Sequence, residues 1–234
     1  METILAIGLI AMLLGIFLTL FLPAKDMIRA AIAREESDRI ISVLKSEMMT
    51  LRKNEQAPAS SAKSTDSKFT SGFDKGFSWF KRSVRPGTSI VIYTYRADLS
   101  KAPRADGTYP AVKVGRQQPA GSTALISVAC PITDPIHRDE FIHAVGPVFL
   151  VRMTQLMENN NGTFTLAKRS GVIKEASSPE TFVSNEKDDD AWGGVLFFQA
   201  DFYIMTPPSP ARYKRMTWEK MSQPTFTTNM SIRR

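Results

Sequence analysis

The densest run of chemistry-bearing side chains is Cys130-Pro-Ile-Thr-Asp134-Pro-Ile-His137-Arg-Asp139-Glu140-Phe-Ile-His143. A zinc site here would draw on His137, Glu140 and His143, with Cys130 as a fourth ligand. On a helix the first three spread over about 120° of surface. Zinc ligands on one helix pair at i and i+4, as in H-E-x-x-H, and that pairing is missing. The expected reading is therefore a polar helix face beside a packed cysteine, with no metal, cofactor or catalytic residue assigned. A cysteine nucleophile needs a base and an orienting group beside it, and nothing in the spacing of Cys130 and His143 supplies them. The chain lacks a phosphate-cradling G-x-x-x-x-G-K-[ST] or G-x-G-x-x-G loop and a G-x-S-x-G elbow. The acidic run Glu186, Asp188, Asp189, Asp190 places adjacent aspartates in different directions, unlike the alternating ligands of a calcium loop. It reads as a solvated loop entering a strand.

The elements that would position these residues begin with a membrane segment. Residues 4–22 read ILAIGLIAMLLGIFLTLFL, carry no charge, and include Ile4, Leu9, Leu13, Phe17 and Leu22. Nineteen residues of helix reach roughly 28 Å, near the hydrocarbon thickness of a bilayer. A cleaved signal peptide would want a basic start and a small-residue cleavage site, and a buried core helix would want a polar face. Neither is present, so a permanent single-pass anchor over 1–24 is expected. Lys25, Arg29 and Arg34 follow the segment while Glu2 precedes it. The positive-inside rule then puts the N-terminus out and the large domain in the cytoplasm, or facing the interior of a particle. The single cysteine agrees with a reducing compartment. The triplets Asn161-Gly162-Thr163 and Asn229-Met230-Ser231 would be silent there.

Residues 25–53 contain no Gly or Pro and read as a helical stalk. Ile41, Leu44, Met48 and Leu51 follow a 3-4-3 spacing, a seam of about two heptads that would serve self-association; the plainer reading is a lone solvated helix. Residues 54–68, NEQAPASSAKSTDSK, lack large apolar groups and read as a flexible linker with a span of roughly 20 Å. Residues 69–82, FTSGFDKGFSWFKR, place Phe69, Phe73, Phe77 and Phe80 on one helical face with Trp79, Lys81 and Arg82 around it. Such a face covers the following sheet, lies in a membrane interface, or docks another subunit.

From residue 84 strand signals dominate. They occur at 88–95, 122–130, 163–168 and 195–205, with Asn159-Asn160-Asn161-Gly162 as a turn, while 148–156 reads equally as strand or helix. The last of these strands is apolar enough to belong in the centre of a sheet. Asp134, Pro135 and Gly146 punctuate a helix over 135–145, and residues 97–121 read as a long loop or irregular hairpin. The fold class that follows is α+β: a transmembrane helix and stalk, then a mostly antiparallel, β-rich domain of four to six strands over 69–206. Pro207, Pro208 and Pro210 open a basic tail over 207–234.

Charge sharpens the partner question. The chain of 234 residues carries a formal +7. Residues 61–120 hold 11 basic and 4 acidic side chains, while the rest is near neutral. Arg212, Lys214, Arg215 and Lys220 interleave with Tyr213 and Trp218, a mix that suits single-stranded nucleic acid or anionic lipid. The leading expectation is a non-enzymatic structural or assembly protein, held in a bilayer, whose β-rich domain docks other subunits. Membrane machines and membrane-containing virus particles both use this layout. The alternative is a membrane-tethered binder of nucleic acid or other polyanions through 63–116 and 212–234.

Overall fold

The computed structural model describes residues 12, 35–52, 54–56, 68–112, 121–137, 140–158, 161–173 and 194–234. The expected anchor over 4–22, apart from residue 12, lies outside the described residues, as do the acidic run at 186–190 and most of the linker. Among the described residues no helix is long and apolar enough to cross a membrane. Contacts divide the chain into Met1–Ile41 and Ser42–Arg234. In the first unit the described helical residues carry one exposed ion pair, Glu36 with Arg39.

The second unit is a curled antiparallel half-barrel with few helices, an α+β domain. Its strands are β1 (Ile90–Asp98), β2 (Thr123–Pro131), β3 (Phe149–Glu158), β4 (Phe164–Leu166), β5 (Val195–Ile204) and β6 (Phe226–Arg233). They pair in the order β2-β1-β3-β5-β6, with β4 added to the far end of β3. Each of the expected strand segments forms a strand, and the ambiguous 148–156 segment resolves as β3. β5 is flanked on both sides, by β3 and β6, although it sits one strand in from the edge. The Asn-Gly turn forms as its chemistry demands: Gly162 takes φ 76°, and the Asn161 side chain accepts from the Thr163 amide at 3.2 Å.

The register sorts the strands into two faces. One carries Ile90, Ile92, Val151, Met153, Phe198, Ala200, Phe202 and Ile232. It is covered by α2 (Gly72–Arg82), whose Phe73, Phe77 and Phe80 are buried; Phe80 meets Phe198 edge-on at 5.8 Å. Two glycines in α2 allow this packing. A Cβ on Gly76 would lie 3.1 Å from Ile232, and one on Gly72 would lie 2.3 Å from the Met49 carbonyl. Met49 ends α1, the helix over 35–49, so Gly72, which weakens α2 on propensity alone, lets the chain at Met49 approach α2.

The other face carries Val91, Tyr93, Tyr95, Leu150 and Tyr203, which pack with Ile132, Phe141, Val148, Tyr213 and Trp218. That cover stops partway along the sheet. Beyond it the same face carries Arg152, Thr154, Phe197, Gln199 and Asp201 from β3 and β5, and the other described residues leave a groove open over it.

Two expectations need correction. The helix over 135–145 is a pair of turns and a 3-10 segment, Glu140–His143, among the described residues. Asp134 accepts from the Ile136 amide at 2.9 Å, an Asx turn, and His137 and Glu140 are drawn sideways into the buried charge network described below. The basic tail over 207–234 is not a tail. After the three prolines a short helix, α3 (Pro210–Tyr213), and a turn at Trp218 lead into β6, which pairs with β5 over eight residues from Phe202↔Phe226 to Val195↔Arg233. At the described ends of the expected linker Gln56 bridges to Phe69, and the Phe69 amide bonds the Glu55 carbonyl at 2.7 Å; the residues between lie outside the described ones. The two described ends therefore lie side by side on the domain.

Candidate functional site

His137 and Glu140 come together, but as part of a sealed network. His137 is 1% exposed. Its Nε2 lies 3.0 Å from Asp106 Oδ2, and its Nδ1 lies 2.9 Å from the Tyr93 hydroxyl and 3.2 Å from Glu140 Oε2. Glu140 Oε1 accepts from Arg104 and from the Ala111 amide. Asp106 Oδ1 accepts from the Thr108 amide and hydroxyl, and Asp106 Oδ2 accepts from Arg52 at 2.9 Å. Arg52 continues to Glu47 at 2.7 Å. Fully buried Lys75 joins Glu55 at 2.7 Å and the Thr50 carbonyl at 2.8 Å, with its ammonium 4.8 Å from the Trp79 ring centre.

Burial alone would discharge His137, yet the hydrogen bonds to Asp106 and Glu140 prevail and raise its pKa above the ordinary value. Burial pushes the carboxyls up, but bonds from His137 and Thr108 hold Asp106 far down, and bonds from His137 and Arg104 lower Glu140 to about 2. With His137 charged, four cations (Arg52, Lys75, Arg104, His137) face four carboxylates (Glu47, Glu55, Asp106, Glu140). Every carboxylate oxygen of Asp106 and Glu140 is already engaged. The arrangement fastens the chain after α1, the loop after β1 and the 137–140 turn to one another; it offers no open base to a substrate.

The other sequence candidates are dispersed. Cys130 is buried, burial drives its thiol pKa well up, and no hydrogen bond joins it to His137 or His143 among the described residues. No group of three metal-ligating side chains is arranged around a common point among the described residues. Phe69, Phe73, Phe77, Trp79 and Phe80 are all buried in the domain, which corrects their reading as a membrane-surface or docking face. The sheet needed that apolar cover. Lys81 lies over Phe77 at 4.7 Å, and Arg82 is half-buried. Within the polyanion candidate, Arg212, Lys214, Arg215 and Lys220 are exposed. Tyr213 and Trp218 are buried, with the Tyr213 hydroxyl on the Thr206 carbonyl and the Trp218 indole on the Ser83 carbonyl. No stacking platform is presented there. Leu44 and Met48 of the proposed seam are buried within the chain itself, and Ile41 and Leu51 are half-buried.

The open stretch of the second face holds a groove of about 430 Å³. Arg152 and Asp201 form its floor: Nε and Nη2 of Arg152 donate to Asp201 Oδ2 at 2.9 and 2.7 Å. Asp201 Oδ1 accepts from Gln199 at 2.9 Å and Thr227 at 2.8 Å. The guanidinium lies 5.5 Å from the Tyr203 ring centre. This floor is internally neutral, with both Asp201 oxygens hydrogen-bonded. Its rim is not neutral. Arg85, Lys168 and Arg169 line the groove, are exposed, and have no ion partner among the described residues, against one rim carboxylate, Glu219. Beside the groove Phe164, Leu166 and Phe197 are 50%, 46% and 45% exposed, and the two phenylalanine rings stand 5.8 Å apart.

Sequence reasoning missed this site. Its residues come from five separated stretches, and only the alternation of polar and apolar side chains at 195–201 hints that one face of β5 stays open. No family model, characterised protein or solved structure matches the chain.

Proposed function

We propose that the chain is a non-enzymatic, single-pass membrane-anchored assembly protein whose β-rich domain docks partner subunits of a membrane-associated complex or particle. The observation that carries this reading is the uncovered stretch of sheet. Three large apolar side chains, Phe164, Leu166 and Phe197, stand in solvent beside a groove whose floor is fixed by the Arg152–Asp201 pair. Clustered exposed apolar side chains next to a hydrogen-bonded polar groove are the anatomy of a protein interface. The uncharged segment over 4–22 supplies the tether, and the flanking Lys25, Arg29 and Arg34 favour a cytoplasmic or particle-interior domain. Confinement to one surface raises the effective concentration of the domain for a partner held there.

The reading of the chain as a binder of nucleic acid or other polyanions has weaker support, because the aromatics it needs are turned into the core at Tyr213 and Trp218.

Carbonate extraction followed by crosslinking and mass spectrometry in intact membranes tests the proposal. Retention in the carbonate pellet, with crosslinks from the groove segments to a recurring subunit, is expected. Release by carbonate, or crosslinks confined to the chain itself, would overturn it.

A further inference from the structure

Resting on the docking reading above, we infer that the groove on the open sheet face receives an acidic segment of the partner protein, carrying an aromatic or aliphatic side chain among its carboxylates. The first ground is charge. Arg85, Lys168 and Arg169 ring the groove without ion partners among the described residues, while the Arg152–Asp201 floor is internally neutral. Three unmatched cations against Glu219 call for carboxylates on whatever sits there. The second ground is shape and polarity. Leu166 lines the groove, and Phe164 and Phe197 flank it, so an apolar side chain on the same segment gains a seat that polar chains would leave wet.

A protein segment fits better than a nucleic acid strand. Phe164 and Phe197 are tilted 58° to each other and offer no parallel stack for successive bases. The cations are also too few to track a strand.

The test uses the full chain in phosphatidylcholine nanodiscs. A displayed library of random peptides, each about 12 residues long, is panned against it. The length suits one extended segment crossing a groove. Expected is enrichment of sequences rich in Asp and Glu with one Phe, Trp, Leu or Ile. Their binding should weaken roughly tenfold or more from low to high salt. A similar loss is expected in the combined Arg85→Glu, Lys168→Glu, Arg169→Glu chain, and also in Phe197→Ser, with melting temperatures of both variants near the parent. Enrichment of basic or uncharged peptides overturns the inference, as does acidic binding that ignores these substitutions, or no enrichment at all. A labelled oligothymidine that binds and is lost in the same charge-reversed chain also overturns it, in favour of a polyanion site. A partner crosslinked at the groove in membranes, with binding indifferent to salt and charge reversal, would sink the acidic partner and leave the docking reading standing; absence of any crosslinked partner would sink both.

Discussion

Two regions of this domain gather charged side chains, and they do opposite things with them. Around His137, four cations and four carboxylates close on one another in the interior. On the open sheet face one pair, Arg152 with Asp201, is closed, while Arg85, Lys168 and Arg169 are left facing solvent. The first cluster has the residue types and perturbed titration of a catalytic centre, yet no oxygen of its two central carboxylates is spare. The second has cations to spare, with no ion partner among the described residues. Perturbed pKa values mark groups that are strongly held, and holding is as often structural as functional. Binding needs groups that are positioned but not yet satisfied.

The largest effect on stability is expected in the buried cluster. Asp106→Ala leaves His137 and Arg52 facing a void, and stranding buried charges costs about 3–5 kcal/mol. Urea unfolding of the chain should show a loss of that order, with groove binding unchanged in whatever fraction stays folded. A loss below about 1 kcal/mol, the range of exposed ion pairs, would mean that the network is not the clasp described. A smaller effect comes from Gly72→Ala. The added methyl would sit 2.3 Å from the Met49 carbonyl oxygen, and forced repacking of this kind costs about 1–3 kcal/mol. Thermal melts that match the parent would show that the Met49 carbonyl need not lie so close to α2.

The pH response distinguishes the regions next. His137 has a raised folded pKa, so its contribution is complete below its ordinary value of 6.5 and is lost as pH climbs through the folded value. Asp106 and Glu140 are lowered, so theirs is complete above their ordinary 3.8 and 4.5 and is lost as pH falls through the folded values. Melting temperature should therefore be highest between about 4.5 and 6.5 and fall on both sides. His137→Gln should flatten the alkaline fall; a fall unchanged in that variant would assign it elsewhere. The smallest effect on stability is expected at the open face. Phe164→Ser with Phe197→Ser should shift unfolding by no more than about 0.5 kcal/mol and still abolish partner crosslinking. A strongly destabilised double variant would show that the pair serves the core.

Most strands could be read directly, because β-branched and aromatic runs such as Ile90–Tyr95 and Leu196–Ile204 fit the pleated sheet they form. The aromatic face of α2 was legible as a face, but the sequence left open what it covers; its cover is the chain's own sheet. β6 was hidden by its neighbours. Phe226, Thr228, Met230 and Ile232 alternate as a half-buried strand should, but the prolines and cations upstream outweighed that signal. The 137–140 turn failed as a helix because its polar side chains bond Asp106, Tyr93 and Arg104, residues between 31 and 44 positions away. Such pairings, like the meeting of Arg152 with Asp201 and Thr227, belong to tertiary geometry, which local periodicity does not encode.

The most direct test of docking at the open face is site-specific photocrosslinking in intact membranes, with the reactive group placed at Phe197 in one chain and at Leu125 in another. Leu125, on β2, is also a well-exposed apolar residue but lies away from the groove. A discrete adduct from position 197, shared between preparations and missing from position 125, is the expected result. Equal labelling from both positions, or none from 197, would contradict it.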